Sequence, residues 1–255
     1  MTAAVQLRQA SVERSGKRVV SAVDMDVPTA GWFGLIGANG AGKTSLLRAL
    51  AGRLPLADGR CLVGEVDLAP DRMARARHFG FAPPADRLPE SLRVRDLLDL
   101  TGGDVATALE RLGPVGEALG IAPLCARRVG DCSAGMRQRV AIALAFVGGH
   151  RAVILDEPFN WLDPVAAFDL REALRGRVDD GLTLISALHD LGTLAIACDA
   201  GLMLADGRVA LTLDREALAE AAASPRLFER RTINLLRAGG GGAGHGTGEQ
   251  ACRKG

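Results

Sequence analysis

Gly37-Ala38-Asn39-Gly40-Ala41-Gly42-Lys43-Thr44 is the stretch on which the reading of this chain turns. An apolar run precedes it at residues 32–36, and Ser45-Leu46-Leu47-Arg48-Ala49-Leu50 opens a helical pattern behind it. Strand, glycine-rich loop and helix in that order predict a phosphate-binding P-loop. Small residues let successive backbone N–H groups turn inward around a phosphate chain, and the helix N-terminus adds partial positive charge. The candidate nucleotide contacts are Gly37, Asn39, Gly40, Ala41, Gly42, Lys43, Thr44 and Ser45. Lys43 has the reach for the β- and γ-phosphates, and the Thr44 hydroxyl is a hard oxygen suited to Mg²⁺. The motif predicts a site for a nucleoside triphosphate.

A second stretch completes that chemistry. Ala152-Val153-Ile154-Leu155 reads as a buried strand ending in Asp156-Glu157-Pro158. Asp156 is placed to hold Mg²⁺ opposite Thr44. Glu157 lies one residue on, and an extended backbone sends it to the other face, where it can act as general base on the attacking water. A buried strand ended by two solvated carboxylates is the plainer reading, and the P-loop upstream outweighs it.

The whole-chain properties narrow the class. The 255 residues suit one α/β domain with a modest insertion. Apolar runs are of strand length, none approaches the roughly 20 residues that span a bilayer, and the N-terminus lacks a basic-then-apolar leader pattern. A cytosolic location is expected. With 31 basic and 30 acidic residues there is no electrostatic case for nucleic acid, and with 4% aromatics no stacking platform for single strands. Five scattered cysteines without a C-x-x-C pair fit neither a zinc site nor a disulfide framework.

The rest of the chain arranges itself around the loop. Two strand-like stretches within residues 5–27 flank a turn at Arg14-Ser15-Gly16-Lys17, as an antiparallel β subdomain requires. Residues 72–77 read as a charged, exposed helical turn, and residues 79–82 as a short strand ended by Pro83-Pro84. From about residue 86 to 133, Leu92, Val94, Leu97, Leu98, Leu100, Ala108, Leu109 and Leu112 recur at helical spacing with no strand between them, predicting an inserted all-helical subdomain. Ser133 is a good N-cap for the Ala-rich helix behind it. Pro164 starts a helix running to about Val178, and a strand at 182–187 leads to His189. A hairpin around Asp206-Gly207 and further helices to about Arg237 follow. The expected division is an ATPase domain over residues 1–238 and a flexible Gly-rich tail over 239–255.

Taken together, the P-loop, Ser133-Ala134-Gly135-Met136, Leu155-Asp156-Glu157-Pro158, Leu162-Asp163-Pro164 and His189 resemble the nucleotide-binding subunit of an ABC transporter, over about residues 5–213. The resemblance implies a P-loop NTPase core of ABC ATPase type. It also implies ATP with Mg²⁺ as cofactors, and head-to-tail pairing with a second ATPase subunit, like or unlike. Ser133 and Gly135 would close on the nucleotide of the opposite subunit, and His189 would donate to the γ-phosphate beside Glu157. A separate transmembrane permease would dock on the helical insertion, near Arg87, Leu88, Leu92 and Arg93. That places the chain in the cytoplasm, peripheral on the inner face of the cell membrane. Export is the favoured direction. The alternative is a soluble ABC-type ATPase of an assembly or maintenance complex, and a third reading is a degenerate module that closes on ATP without turnover. Several positions depart from the pattern. Cys132, Ala134 and Met136 alter the signature, and Asn160 and Trp161 are unusual. Pro84 stands where the family has a glutamine, and Asp86 reads equally as a substitute oxygen ligand or as a solvated loop residue. Ser15 stands where it has an adenine-stacking aromatic, which predicts weaker or less base-selective ATP binding.

Overall fold

The computed structural model describes residues 3–226, 228 and 230. The expected helix end near Arg237 and the 239–255 tail lie outside the described residues. In chain order the elements are β1 (Ala3–Arg14), β2 (Lys17–Pro28), β3 (Trp32–Gly37), α1 (Lys43–Leu50), β4 (Asp58–Val63), β5 (Val66–Asp67), α2 (Arg72–His78) and β6 (Phe79–Phe81). Then come α3 (Val94–Gly102), α4 (Val105–Leu112), α5 (Pro114–Ala118), α6 (Ala134–Phe146), β7 (Ala152–Asp156), α7 (Pro164–Asp179), β8 (Thr183–Ala187), α8 (Leu191–Ala197), β9 (Ala200–Ala205), β10 (Arg208–Leu213) and α9 (Arg215–Ala223).

Among the described residues two sheets form. One has the order β2-β1-β4-β5, antiparallel throughout; the other has the order β10-β9-β3-β8-β7-β6. In the second, β6, β7, β8, β3 and β9 run parallel, and only the edge strand β10 is antiparallel. The central strands read as continuous apolar runs because both their faces are covered. Strand alternation then divides the interior. Trp32 and Ile36 of β3, Val153 and Leu155 of β7 and Leu184 of β8 join the core beneath α3 to α7. Phe33 and Leu35, with Ala152, Ile154 and Ile185, face α1 and the antiparallel sheet. The indole of Trp32 donates to Ser186 Oγ at 2.7 Å, so its one polar atom is satisfied inside the core.

The stretch at 72–77 corrects the sequence expectation. It is helical, but Arg75 is fully buried. Its guanidinium donates to the carbonyls of Ala49 (3.1 Å), Leu68 (2.6 Å), Leu54 (3.4 Å) and Ala69. Ala49 lies in the last turn of α1, where its carbonyl also accepts from Gly52 N–H at 3.0 Å and the negative end of the helix dipole attracts a cation. A fork of fixed donors suits that cluster where a lysine would not. Between residues 86 and 133 the structure has α3, α4, α5 and three 3-10 turns, with one isolated bridge between Arg93 and Arg128. Val94, Leu98, Ala108, Leu112, Val115 and Leu119 bury their side chains in the same core as α6. No helix among the described residues is long and apolar enough to cross a membrane.

Candidate nucleotide site

The loop leaves the C-terminal end of β3 and enters α1 at Lys43. Gly42, the residue before the helix, has φ +102°, and an added Cβ would come within 2.8 Å of the Val19 carbonyl. Only glycine fits both the conformation and the space. No side chain caps α1 and its first turn carries no acidic residue, so the positive helix end faces the loop unneutralised. The loop, Glu157, Arg48, Arg14 and Val19 enclose a cavity of about 450 Å³. Ala38 to Ser45 thus supply one wall, and Gly37 does not line it. Lys43 is buried, with Nζ donating to the carbonyls of Gly37 (2.7 Å) and Ala38 (3.3 Å) and lying 3.7 Å from Glu157 Oε1.

Asp156 ends β7, and its Oδ1 is buried without a hydrogen-bond partner. Burial raises its pKa, and the neighbouring Glu157 charge pushes the same way. The Thr44 side chain, hydrogen-bonded to it, opposes this, as do Arg48 and Lys43. An unpaired carboxylate oxygen held out of water beside a hydroxyl is the donor set of a hard cation. Among the described residues no group of three or more His, Cys, Asp or Glu side chains converges on one point.

Glu157 corrects a second expectation. The backbone is not extended there but left-handed, with φ +50°. The two carboxylates are separated by this turn rather than by strand alternation: Glu157 lines the loop's cavity, and Asp156 lines a smaller one of about 100 Å³ with Arg48, Pro84 and Gln138. Pro84 therefore does lie on the Asp156 side, without an amide to offer. Asp86 is exposed on the 3-10 turn Ala85–Arg87 and lines neither cavity, so of its two sequence readings it takes the solvated one. Two amides that sequence reasoning missed reach Glu157 instead: Gln138 Nε2 donates to its carbonyl at 3.4 Å, and Asn160 Nδ2 to its Oε2 at 2.6 Å. The only sequence signal was a Pro and an Asn at fixed distance behind the acid.

The remaining candidates stand apart from the loop. His189 is exposed and lines a separate cavity of about 260 Å³ with Phe159, Arg171 and Asp190. Asp190 is committed to capping α8, accepting from the backbone N–H of Gly192 (3.0 Å) and Thr193 (2.7 Å). Ser133 caps α6 through Met136 N–H at 3.2 Å and is exposed; neither it nor Gly135 lines the loop's cavity. Gly135 has a local reason to be glycine, since an added Cβ would stand 2.7 Å from the Trp161 carbonyl. Arg14 and Val19, from the β1–β2 hairpin, line the loop's cavity where Ser15 does not.

Comparison with known proteins supplies the family. The family described as ABC transporter matches residues 20–160. The hemin import ATP-binding protein HmuV of Bordetella pertussis is 31% identical over 81% of this chain and 84% of its own length. The Nod factor export ATP-binding protein I of Cupriavidus metallidurans is 32% identical over 85% and 75%. A solved ATP-binding subunit of an ABC transporter superposes with a TM-score of 0.78 at 25% identity, covering 91% of this chain and 98% of that one. A dimeric ATP-binding cassette, MJ0796, bound to ADP and Pi, shares the fold with a TM-score of 0.73 at 18% identity over 83% and 98%. On the fold, the loop and these relatives alike, the chain belongs to the ABC transporter family, as an ATP-binding subunit and ATPase.

Proposed function

We propose that this ATPase powers transport through a separate transmembrane permease, by closing on ATP together with a second ATPase subunit. The observation that carries the site is the buried, unpaired Oδ1 of Asp156, whose carboxylate is influenced by Thr44 and Lys43 of the loop. Thr44 and Asp156 would hold Mg²⁺, which when bound neutralises the phosphate charge that builds during transfer. Gly37, Asn39, Gly40, Ala41, Gly42, Lys43, Thr44 and Ser45 cradle the phosphates, and Glu157 orients and deprotonates the attacking water. Lys43 exchanges its present carbonyl partners and Glu157 for phosphate oxygens.

The separation of Ser133, Gly135 and His189 from the loop's cavity supports a site completed in two steps. Ser133 and Gly135 contribute from the opposite subunit, and His189 turns in on closure. The N-terminus of α6 then presents free N–H groups to the γ-phosphate, and hydrolysis removes the group both halves hold. A permease would dock on the face of α3 and the turn before it, and the chain would be peripheral at the cytoplasmic side of the membrane through that contact. The relatives are named for import and for export, so the expected export direction gains no support from them and the proposal carries no direction.

The test is a Glu157→Gln variant with Mg-ATP on a sizing column with light scattering, beside affinity capture from solubilised membranes. A trapped dimer and a co-purifying multi-span protein are expected. A variant that stays monomeric, or keeps normal turnover, overturns the closure or the base assignment. Capture of soluble partners alone would favour the assembly-complex alternative.

A further inference from the structure

The acid end of β7 runs into a tight turn whose parts fit one purpose. Pro158 follows Glu157, and Asn160 N–H donates to the Glu157 carbonyl at 3.2 Å, closing a four-residue turn with proline at its second position. Glu157 itself is anchored to β8 through its N–H and the Ala187 carbonyl at 3.1 Å. Its left-handed φ of +50° is an uncommon state for a side-chain-bearing residue, kept only where surroundings over-determine it. The turn folds the side chain of its fourth residue back onto that of its first. Asn160 Nδ2 meets Oε2 at 2.6 Å, which leaves Oε1 turned towards Lys43 and the loop's cavity. A carboxylate accepts only, so the amide must present its NH₂.

We propose that Asn160 is a positioning residue for the hydrolytic carboxylate, pinning one oxygen of Glu157 so that the other faces the phosphate cavity. This rests on the assignment of Glu157 as general base. The amide acts from the turn behind the acid, whereas position 84, across Asp156, is a proline and has none. A hydrogen bond to a charged group contributes enough to hold a rotamer that would otherwise exchange with Lys43 pairing or solvent. Asn160 does not line the loop's cavity; it acts through Glu157.

The experiment compares Asn160→Ala and Asn160→Asp, alone and on a Glu157→Gln background. Asn160→Asp keeps the shape and removes the donor. Both single variants are expected to lower kcat about tenfold to a hundredfold, the range of a lost charge-assisted hydrogen bond, with KM for ATP within about twofold of wild type. Slowed hydrolysis should also prolong the ATP-bound dimer on a sizing column, a readout beside phosphate release. On the Glu157→Gln background neither should cause further loss, because residues acting through one group are not additive. Wild-type kcat in Asn160→Asp, a parallel loss of ATP binding, or an additional loss on the Glu157→Gln background would each overturn the proposal. If Glu157→Gln alone kept full turnover, the base assignment would fall instead, and the two failures are thereby distinguished.

Discussion

Replacing Asp156 with Asn should make the metal-free protein more stable and hydrolytically dead. The native Oδ1 is buried and unpaired, and the carboxylate is shielded from water with a second negative charge next in sequence. A buried unsatisfied polar group costs roughly 1–3 kcal/mol, and more when charged. Asparagine removes the charge and can keep an acceptor for the Thr44 side chain, but leaves its own amide nitrogen unpaired. The net gain is therefore only part of that range, about 1–2 kcal/mol. At roughly 2–4 °C per kcal/mol for a chain of this length, Tm in EDTA should rise by about 2–8 °C. Wild type should gain further stability on adding Mg²⁺ with a non-hydrolysable ATP analogue, by linkage of binding to folding, and the variant should gain much less. Thermal denaturation with and without Mg²⁺, beside phosphate release, reads all three. A lower Tm in EDTA would mean the carboxylate is already paired in the free protein. Retained Mg²⁺-dependent turnover would remove Asp156 from the metal site.

Three further outcomes follow from other contacts. Arg75→Ala strips four carbonyls of a buried donor and should destabilise by about 3–5 kcal/mol; a Tm within 2 °C of wild type, by roughly the same conversion, would refute the role given to that side chain. Gly135→Ala places a methyl group 2.7 Å from the Trp161 carbonyl, so about 1–3 kcal/mol of overpacking strain is expected, with weakened ATP-driven dimerisation of the Glu157→Gln background. Unchanged melting and unchanged dimerisation would dismiss that contact. Arg14 lines the loop's cavity, and a guanidinium plane over a base contributes about 0.5–1 kcal/mol at exposed sites. Arg14→Ala should weaken ATP binding by about twofold to fivefold in a fluorescent-nucleotide titration. Unaltered affinity would leave the base without a stacking partner from that hairpin.

What the sequence disclosed was chemistry carried by contiguous residues. The loop must be contiguous, because consecutive N–H groups make the cradle, and Asp156 is tied to a strand whose buried faces leave an unbroken apolar run. The fold class followed from the same strands. Contacts made across the chain were opaque. Arg75 looked solvated because its acceptors are the carbonyls of Ala49, Leu54, Leu68 and Ala69, and nothing in the sequence marks a carbonyl that takes a further donor. Glu157 looked extended because a left-handed residue other than glycine has no compositional mark. Asp86 read equally as an oxygen ligand or a solvated residue, because the 3-10 turn that carries it into solvent is a matter of three residues. Asn160 was noticed only as unusual, since its relation to Glu157 depends on a turn whose hydrogen bond cannot be counted from spacing alone.

The missing side chain at Gly135 has a mechanical corollary. The tip of α6 sits directly on the backbone of Trp161, one residue past the turn that aims Glu157, with no methyl group between to act as a spacer. Trp161 is itself held at φ +65°, and it is 77% exposed. In the proposed dimer, a load applied to the front of α6 by the second subunit would reach Glu157 through a stiff linkage one carbonyl thick.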